Sequence, residues 1–140
     1  MLLEVNDLHT HYDKSHILQG ASLELKKGDL VCLLGRNGVG KTTTMKSIMG
    51  IVKPTSGSIM FKTREISGLA PYQIARWGVG YVPEDRRIFG SLTAHENLIM
   101  GMKPSRHKGE AASQWTIERV YENFPRLDER RNSKGKYLSG

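Results

Sequence analysis

The sequence of 140 residues is short of several things, and each scarcity closes off a class of protein. It has one cysteine, Cys32, so no disulfide forms within the chain and a thiolate metal site has no second sulfur. It has no apolar run near the ~20 residues that a membrane-crossing helix requires. Its densest apolar stretch is the short segment 30–34. The first residues carry Glu4 and Asp7 where a secretory leader has basic and then apolar residues. Internal repeats and low-complexity segments are lacking too. What remains is 38% hydrophobic and 25% charged, the composition of a globular domain, and the expectation is a cytoplasmic protein.

Acids are also in short supply, which leaves a net charge of +7. Arg86-Arg87, Arg130-Arg131 and the Lys134/Lys136 pair invite a nucleic-acid reading. Charge alone speaks only to association. A solvated surface, or an edge facing a partner subunit, accounts for these residues more simply, and no nucleic-acid partner is expected.

Along the chain, residues 2–25 read as two strands: Leu3 and Val5 alternate with polar neighbours, as do Ala21, Leu23 and Leu25. Lys27-Gly28-Asp29 reads as a turn. Residues 30–34, Leu-Val-Cys-Leu-Leu, show no alternation, which predicts a strand buried on both faces in a parallel sheet and Cys32 as a buried structural thiol. A glycine-rich loop leads into a helix on which Met45, Ile48 and Met49 share a face, with Gly50 as its cap and Pro54 beyond its end. Residues 58–62 and 79–82 read as further strands, and Pro71 suits the first turn of a short helix. Thr93 with Glu96 makes a capping box, opening a helical region that runs to about Phe124. The change of character falls near residue 90. It divides a nucleotide-binding α/β core at 1–90 from the start of a helical subdomain at 91–140.

The strongest chemical signal is Gly35-Arg36-Asn37-Gly38-Val39-Gly40-Lys41-Thr42, which fits G-x-x-x-x-G-K-[ST]. A triphosphate is met by backbone N–H groups lining a concave turn at a helix N-terminus. Glycines allow that close approach, Lys41 reaches the β- and γ-phosphates, and the Thr42 hydroxyl is placed to ligate Mg²⁺. Chance produces the pattern in roughly 1 in 200 chains of this size, and seldom between an apolar strand and a helix. The implied ligands are ATP and Mg²⁺.

Several segments together are more specific. Residues 34–43, from Leu34 through Thr43, resemble the Walker A segment of ATP-binding cassette (ABC) proteins. Pro54-Thr55-Ser56-Gly57-Ser58-Ile59 resembles that family's next strand. Val79-Gly80-Tyr81-Val82-Pro83-Glu84 is similar to the strand leading into the Q-loop, and Leu138-Ser139-Gly140 to the opening of the signature motif LSGGQ. The ordered set covers the whole chain. His9-Thr10-His11-Tyr12, then Ser15-His16-Ile17-Leu18-Gln19-Gly20, and Glu84-Asp85-Arg86-Arg87-Ile88-Phe89 resemble the branched-chain amino-acid importer ATPases within it. The resemblance implies an α/β P-loop NTPase core of ABC ATPase type with the beginning of a helical subdomain, an incomplete domain ending inside the signature motif.

The same resemblance implies an ATP site formed by Tyr12, stacking on adenine, with Gly35, Arg36, Asn37, Gly38, Val39, Gly40, Lys41, Thr42 and Thr43. Glu84 takes the Q-loop position, where the wider family has glutamine, so its carboxylate serves either the site or a contact with the membrane subunit. Leu138, Ser139 and Gly140 open the signature motif. In the family the Walker B aspartate, the glutamate that polarises water and the switch histidine come later, so no catalytic residue is assigned. The Walker B strand is expected beside residues 30–34. The implied partners are membrane permease subunits, a sister ATPase subunit in a homo- or heterodimer and, indirectly, a periplasmic binding protein, at the cytoplasmic face of a bacterial inner membrane. The alternatives are a urea or amide importer ATPase, a soluble cassette ATPase acting on nucleic acid or ribosomes, and a binding-only fragment. His9 and His11 share a strand face that lacks a third metal ligand, and both read as polar side chains turned to solvent.

Overall fold

The structure, a computed structural model, describes residues 1–85, 87–102 and 115–138. The chain forms two compact units, residues 1–82 and residues 83–140.

In the first unit, β1 (Leu3–Tyr12) and β2 (Ser15–Leu25) form an antiparallel hairpin, as their alternation predicts. Asp13 turns the hairpin at φ 50°, a left-handed conformation that Asp tolerates better than most residues. β3 (Ser56–Phe61) pairs with the other edge of β1, and β4 (Arg64–Glu65) completes the order β2-β1-β3-β4. β1 is bulged around Asp7, and Gly57 of β3 lies hard against that bulge. A Cβ on Gly57 would stand 2.7 Å from both the Asn6 carbonyl oxygen and Leu8 Cα, so only glycine fits.

The helix after the glycine-rich loop, α1 (Lys41–Ile48), buries Ile48 and Met49 against Val5, Leu8, Leu18 and Ile59. Gly50, at φ 66°, ends it with paired bonds from Gly50 N–H to the Ser47 carbonyl and Ile51 N–H to the Lys46 carbonyl. A short helix, α2 (Pro71–Arg76), starts at Pro71 and adds Ile74 to the same core.

The structure corrects the sequence reading in three places. Residues 30–34 form no strand: Leu30 is 99% and Leu34 86% exposed. Cys32 is exposed, not a buried thiol. Residues 79–82 are also without strand pairing; Val79 and Tyr81 lean on the core while Val82 is 92% exposed. The physical reason is common to all three. Every ladder among the described residues is antiparallel and none runs beside these segments, so their backbone groups have no strand to pair with. The apolar side chains meant for such a layer instead line an open groove of about 170 Å³ with Leu23, Leu25, Val31, Leu33, Met45 and Tyr81 among its walls. Met45 is therefore half-exposed, unlike its helix neighbours Ile48 and Met49.

The second unit carries α3 (Ala94–Gly101), α4 (Ile117–Asn123), α5 (Pro125–Glu129) and a 3₁₀ turn at Gly135–Tyr137. The capping box is formed: Glu96 N–H donates to Thr93 Oγ1 and Thr93 N–H donates to the Glu96 carboxylate. Asn97 clamps the preceding loop, its amide donating to the Phe89 and Thr93 carbonyls and accepting from Phe89 N–H. His95 Nδ1 lies 2.9 Å from the Tyr121 hydroxyl, tying α3 to α4.

Candidate functional site

The candidate site is the loop between residue 34 and α1. Gly38 at φ 85° and Gly40 at φ 99° take left-handed conformations that draw the loop into a tight curl. Gly40 is also packed tightly: a Cβ there would meet Leu18 Cδ2 at 2.5 Å and the Ile17 carbonyl at 3.4 Å. The loop is thereby pinned to β2 at its exit, while Arg36, Asn37 and Gly38 stand exposed.

Gly40 is the N-cap of α1 and offers no side chain to the helix. Thr44 N–H and the Thr44 hydroxyl both bond the Gly40 carbonyl. The N–H groups of the first turn are left facing the loop, with the positive end of the helix dipole behind them. Thr42 is exposed at this end and Thr43 is buried beneath it. Lys41 folds back over the curl, its Nζ donating to the Gly35 carbonyl at 2.7 Å and to the Arg36 carbonyl at 2.8 Å. The ammonium is therefore already inside the loop that sequence analysis assigns to phosphate. Exposed backbone donors, a helix N-terminus free of side-chain caps and a lysine at the mouth fit an anionic polyphosphate.

A cavity of about 370 Å³ opens along β2 beside the loop, lined by residues 17–21, Leu33, Leu34, residues 39–41 and Thr44. Tyr12 stands at the last position of β1, paired with Ser15, and is 42% exposed. The first unit thus carries Tyr12, residues 35–43 and the cavity. Glu84 and Leu138 belong to the second unit, where Glu84 is exposed in a turn. Ser139 and Gly140, together with Arg86, lie outside the described residues.

Sequence reading missed a partner for the hairpin histidines. His16 of β2 comes between His9 and His11: its Nε2 is 3.0 Å from His9 Nδ1, and its ring stacks on His11 with centroids 4.1 Å apart. Burial among these rings and the neighbouring His11 and His9 hold the His16 pKa below the ordinary imidazole value, with a backbone hydrogen bond at Leu18 acting the other way. The cross-strand pairing of His11 with His16 was the available signal, and it required the hairpin register. No group of three potential ligands arranged for a metal ion occurs among the described residues.

A glycine-rich loop curled onto a helix N-terminus beside a core sheet is the arrangement of the P-loop nucleotide-binding fold, and comparison with known proteins narrows the class. The sequence profile of the ABC transporter family matches residues 18–140, and the chain belongs to that family. It is 37% identical over 139 residues to the high-affinity branched-chain amino acid transport ATP-binding protein BraG of Pseudomonas aeruginosa, spanning 99% of this chain and 58% of BraG. It is 39% identical over 99 residues to LivG of Salmonella typhimurium, another branched-chain amino acid transport ATP-binding protein, spanning 71% of this chain and 39% of LivG. It is 32% identical over 138 residues to the lipopolysaccharide export system ATP-binding protein LptB of Escherichia coli K12, spanning 99% of this chain and 57% of LptB. The chain spans a little over half the length of BraG. Among solved structures, the ATP-binding subunit of an ABC transporter superposes with a TM-score of 0.73 at 29% identity, over 99% of this chain and 56% of that one. MJ1267, an ATP-binding cassette of an ABC transporter, superposes with a TM-score of 0.71 at 24% identity, over 99% of this chain and 59% of its own. That second likeness concerns the fold alone.

Proposed function

We propose that this chain is the nucleotide-binding portion of an ATPase subunit that powers import of branched-chain amino acids. The observation that carries the reading is the loop at residues 35–42, with Lys41 drawn into it at the N-terminus of α1. The likeness to BraG across 99% of the chain supports the transported class.

Lys41 exchanges the Gly35 and Arg36 carbonyls for phosphate oxygens, and the N–H groups of residues 38–42 close around them. Thr42, exposed at the start of α1, would hold Mg²⁺ through its hydroxyl, and the ion would supply charge neutralisation for the phosphates. Tyr12 covers the base. Glu84 serves either the site or a contact with the membrane subunit, and Leu138, Ser139 and Gly140 open the signature motif. In the intact protein a sister subunit and membrane permeases complete the assembly, at the cytoplasmic face of the membrane. No helix among the described residues is long and apolar enough to cross a membrane.

A second reading, an exporter ATPase of the LptB kind, rests on 32% identity over nearly the same span. The two readings separate in cells. Deleting the gene that encodes this chain should abolish high-affinity uptake of labelled leucine and leave the outer membrane intact. Unchanged leucine uptake with a damaged outer membrane would replace the importer reading with the exporter one.

A further inference from the structure

The hydrogen-bond chain on the hairpin has only a few consistent proton arrangements. Thr55 Oγ1 donates its single hydrogen to the His9 carbonyl at 3.0 Å. His11 Nδ1, 3.0 Å from the same oxygen, must therefore be the donor in their contact. Asp7 Oδ1 lies 3.2 Å from His9 Nε2, and an ionised carboxylate only accepts, so His9 carries a proton on Nε2. His9 Nδ1 then accepts from His16 Nε2 while both rings are neutral.

One added proton is accommodated. With His9 as an imidazolium, the bond to His16 reverses its direction, and His16 holds its own proton on the far nitrogen. His11 donates through Nδ1, so its Nε2 can take a proton without touching the His9–His16 bond. A second proton on the His9–His16 pair has no such place: it sets two N–H groups against each other across 3.0 Å and puts a positive His16 ring against His11, with centroids 4.1 Å apart. Among the described residues, the only acid hydrogen-bonded to these rings is Asp7, already engaged by His9. β3, on the other side of β1, brings Ser56 opposite His9, preceded by Thr55, and no charge. The next charged groups along the hairpin are Asp13 and Lys14, in the turn itself.

We propose that Asp7, His9, His16 and His11 form a clasp that fixes the Tyr12 end of the β1–β2 hairpin while His9 and His16 hold at most one extra proton between them, and releases that end when both are protonated. The rungs joined by the clasp are His11–His16 and, next along, Tyr12–Ser15. The histidines act as positioning residues, and the effect on nucleotide rests on the reading of Tyr12 as the base-stacking side chain. The depressed His16 pKa is the behaviour expected of the member that resists the second proton.

The test is a pH titration of the intact protein, followed by NMR of the imidazole rings and the backbone amides, with ATP affinity measured alongside. The clasp requires His16 to titrate below the ordinary imidazole range. Amide signals of residues 12–15 should move with that event, and ATP affinity should fall several-fold through it. In His9→Gln, which keeps a polar side chain but cannot take up a proton, His16 should return toward the ordinary range and the coupled amide movement should vanish. Independent titration of the three rings, or amide movement that persists unchanged in His9→Gln, would overturn the clasp. Amide movement as expected, with ATP affinity equally low in Tyr12→Ala and the parent at every pH, would uphold the clasp and remove Tyr12 from the nucleotide site.

Discussion

Thr10 Oγ1 of β1 and Ser47 Oγ of α1 meet at 3.1 Å inside the core, both almost wholly buried. This bond spans 37 residues of sequence and joins the sheet to the helix that begins at the phosphate loop. Ser47→Ala should leave the Thr10 hydroxyl without its partner and cost about 1–3 kcal/mol of stability. Removing both hydroxyls, in Thr10→Val with Ser47→Ala, should cost less than the two single changes summed. Chemical denaturation of the four proteins measures the coupling, and strict additivity would show that the bond is not formed.

Lys41→Ala should weaken ATP binding and abolish turnover in the intact protein, because a charge-assisted contact to the phosphates is lost. Isothermal titration with ATP and with ADP reads the binding change. Equal affinity of the parent and the variant for both nucleotides would remove Lys41 from the site.

Tyr12→Ala should lower ATP affinity by about 1–3 kcal/mol, the usual range for aromatic stacking on a base, while Tyr12→Phe should be nearly neutral. Equal losses in Phe and Ala variants would point to the hydroxyl instead.

Gly57→Ala should destabilise the first unit strongly. The new methyl would press into the bulge of β1 at 2.7 Å from backbone atoms that cannot swing aside, at φ 90°. Overpacking of this kind costs typically about 1–3 kcal/mol. Thermal unfolding of the variant measures it, and an unchanged midpoint would mean that β1 and β3 separate at low cost.

The capping box at α3 gives a pH dependence. Backbone and side-chain hydrogen bonds from Thr93 hold the Glu96 pKa below the ordinary glutamate value. A carboxylate favoured in the folded state contributes stability above its unfolded pKa and loses it as pH falls through the lowered folded value. Helix α3 should therefore fray in acid, and in Glu96→Gln that component of the acid response should be absent. Amide exchange at residues 94–97 between neutral and acid pH follows it directly.

Local signals in the sequence were reliable where the residues that define an element also complete it. The hairpin alternation, the Gly50 cap, Pro71 at a helix start and the Thr93/Glu96 box each need only neighbours a few residues away. The curl of the glycine-rich loop into α1 is legible for the same reason, because its glycines, lysine and helix are contiguous. Residues 30–34 failed because a continuous apolar run reports burial beneath other layers, and a strand exists only beside another strand. Cys32 failed with it. The histidine chain was hidden differently: His9, His11 and His16 come together only once Tyr12 is paired with Ser15.

With residues 35–42 as the proposed phosphate site, Lys41 also acts as an internal competitor. Its ammonium is held by two carbonyls of the loop it serves, so each arriving phosphate must displace the Gly35 and Arg36 oxygens before it gains the lysine. Measured affinity is then the intrinsic affinity scaled by the fraction of molecules whose lysine is free. Substitutions at positions 35 and 36 that reorient those carbonyls would tune nucleotide affinity through the freedom of the lysine, on top of any contact those two residues make themselves.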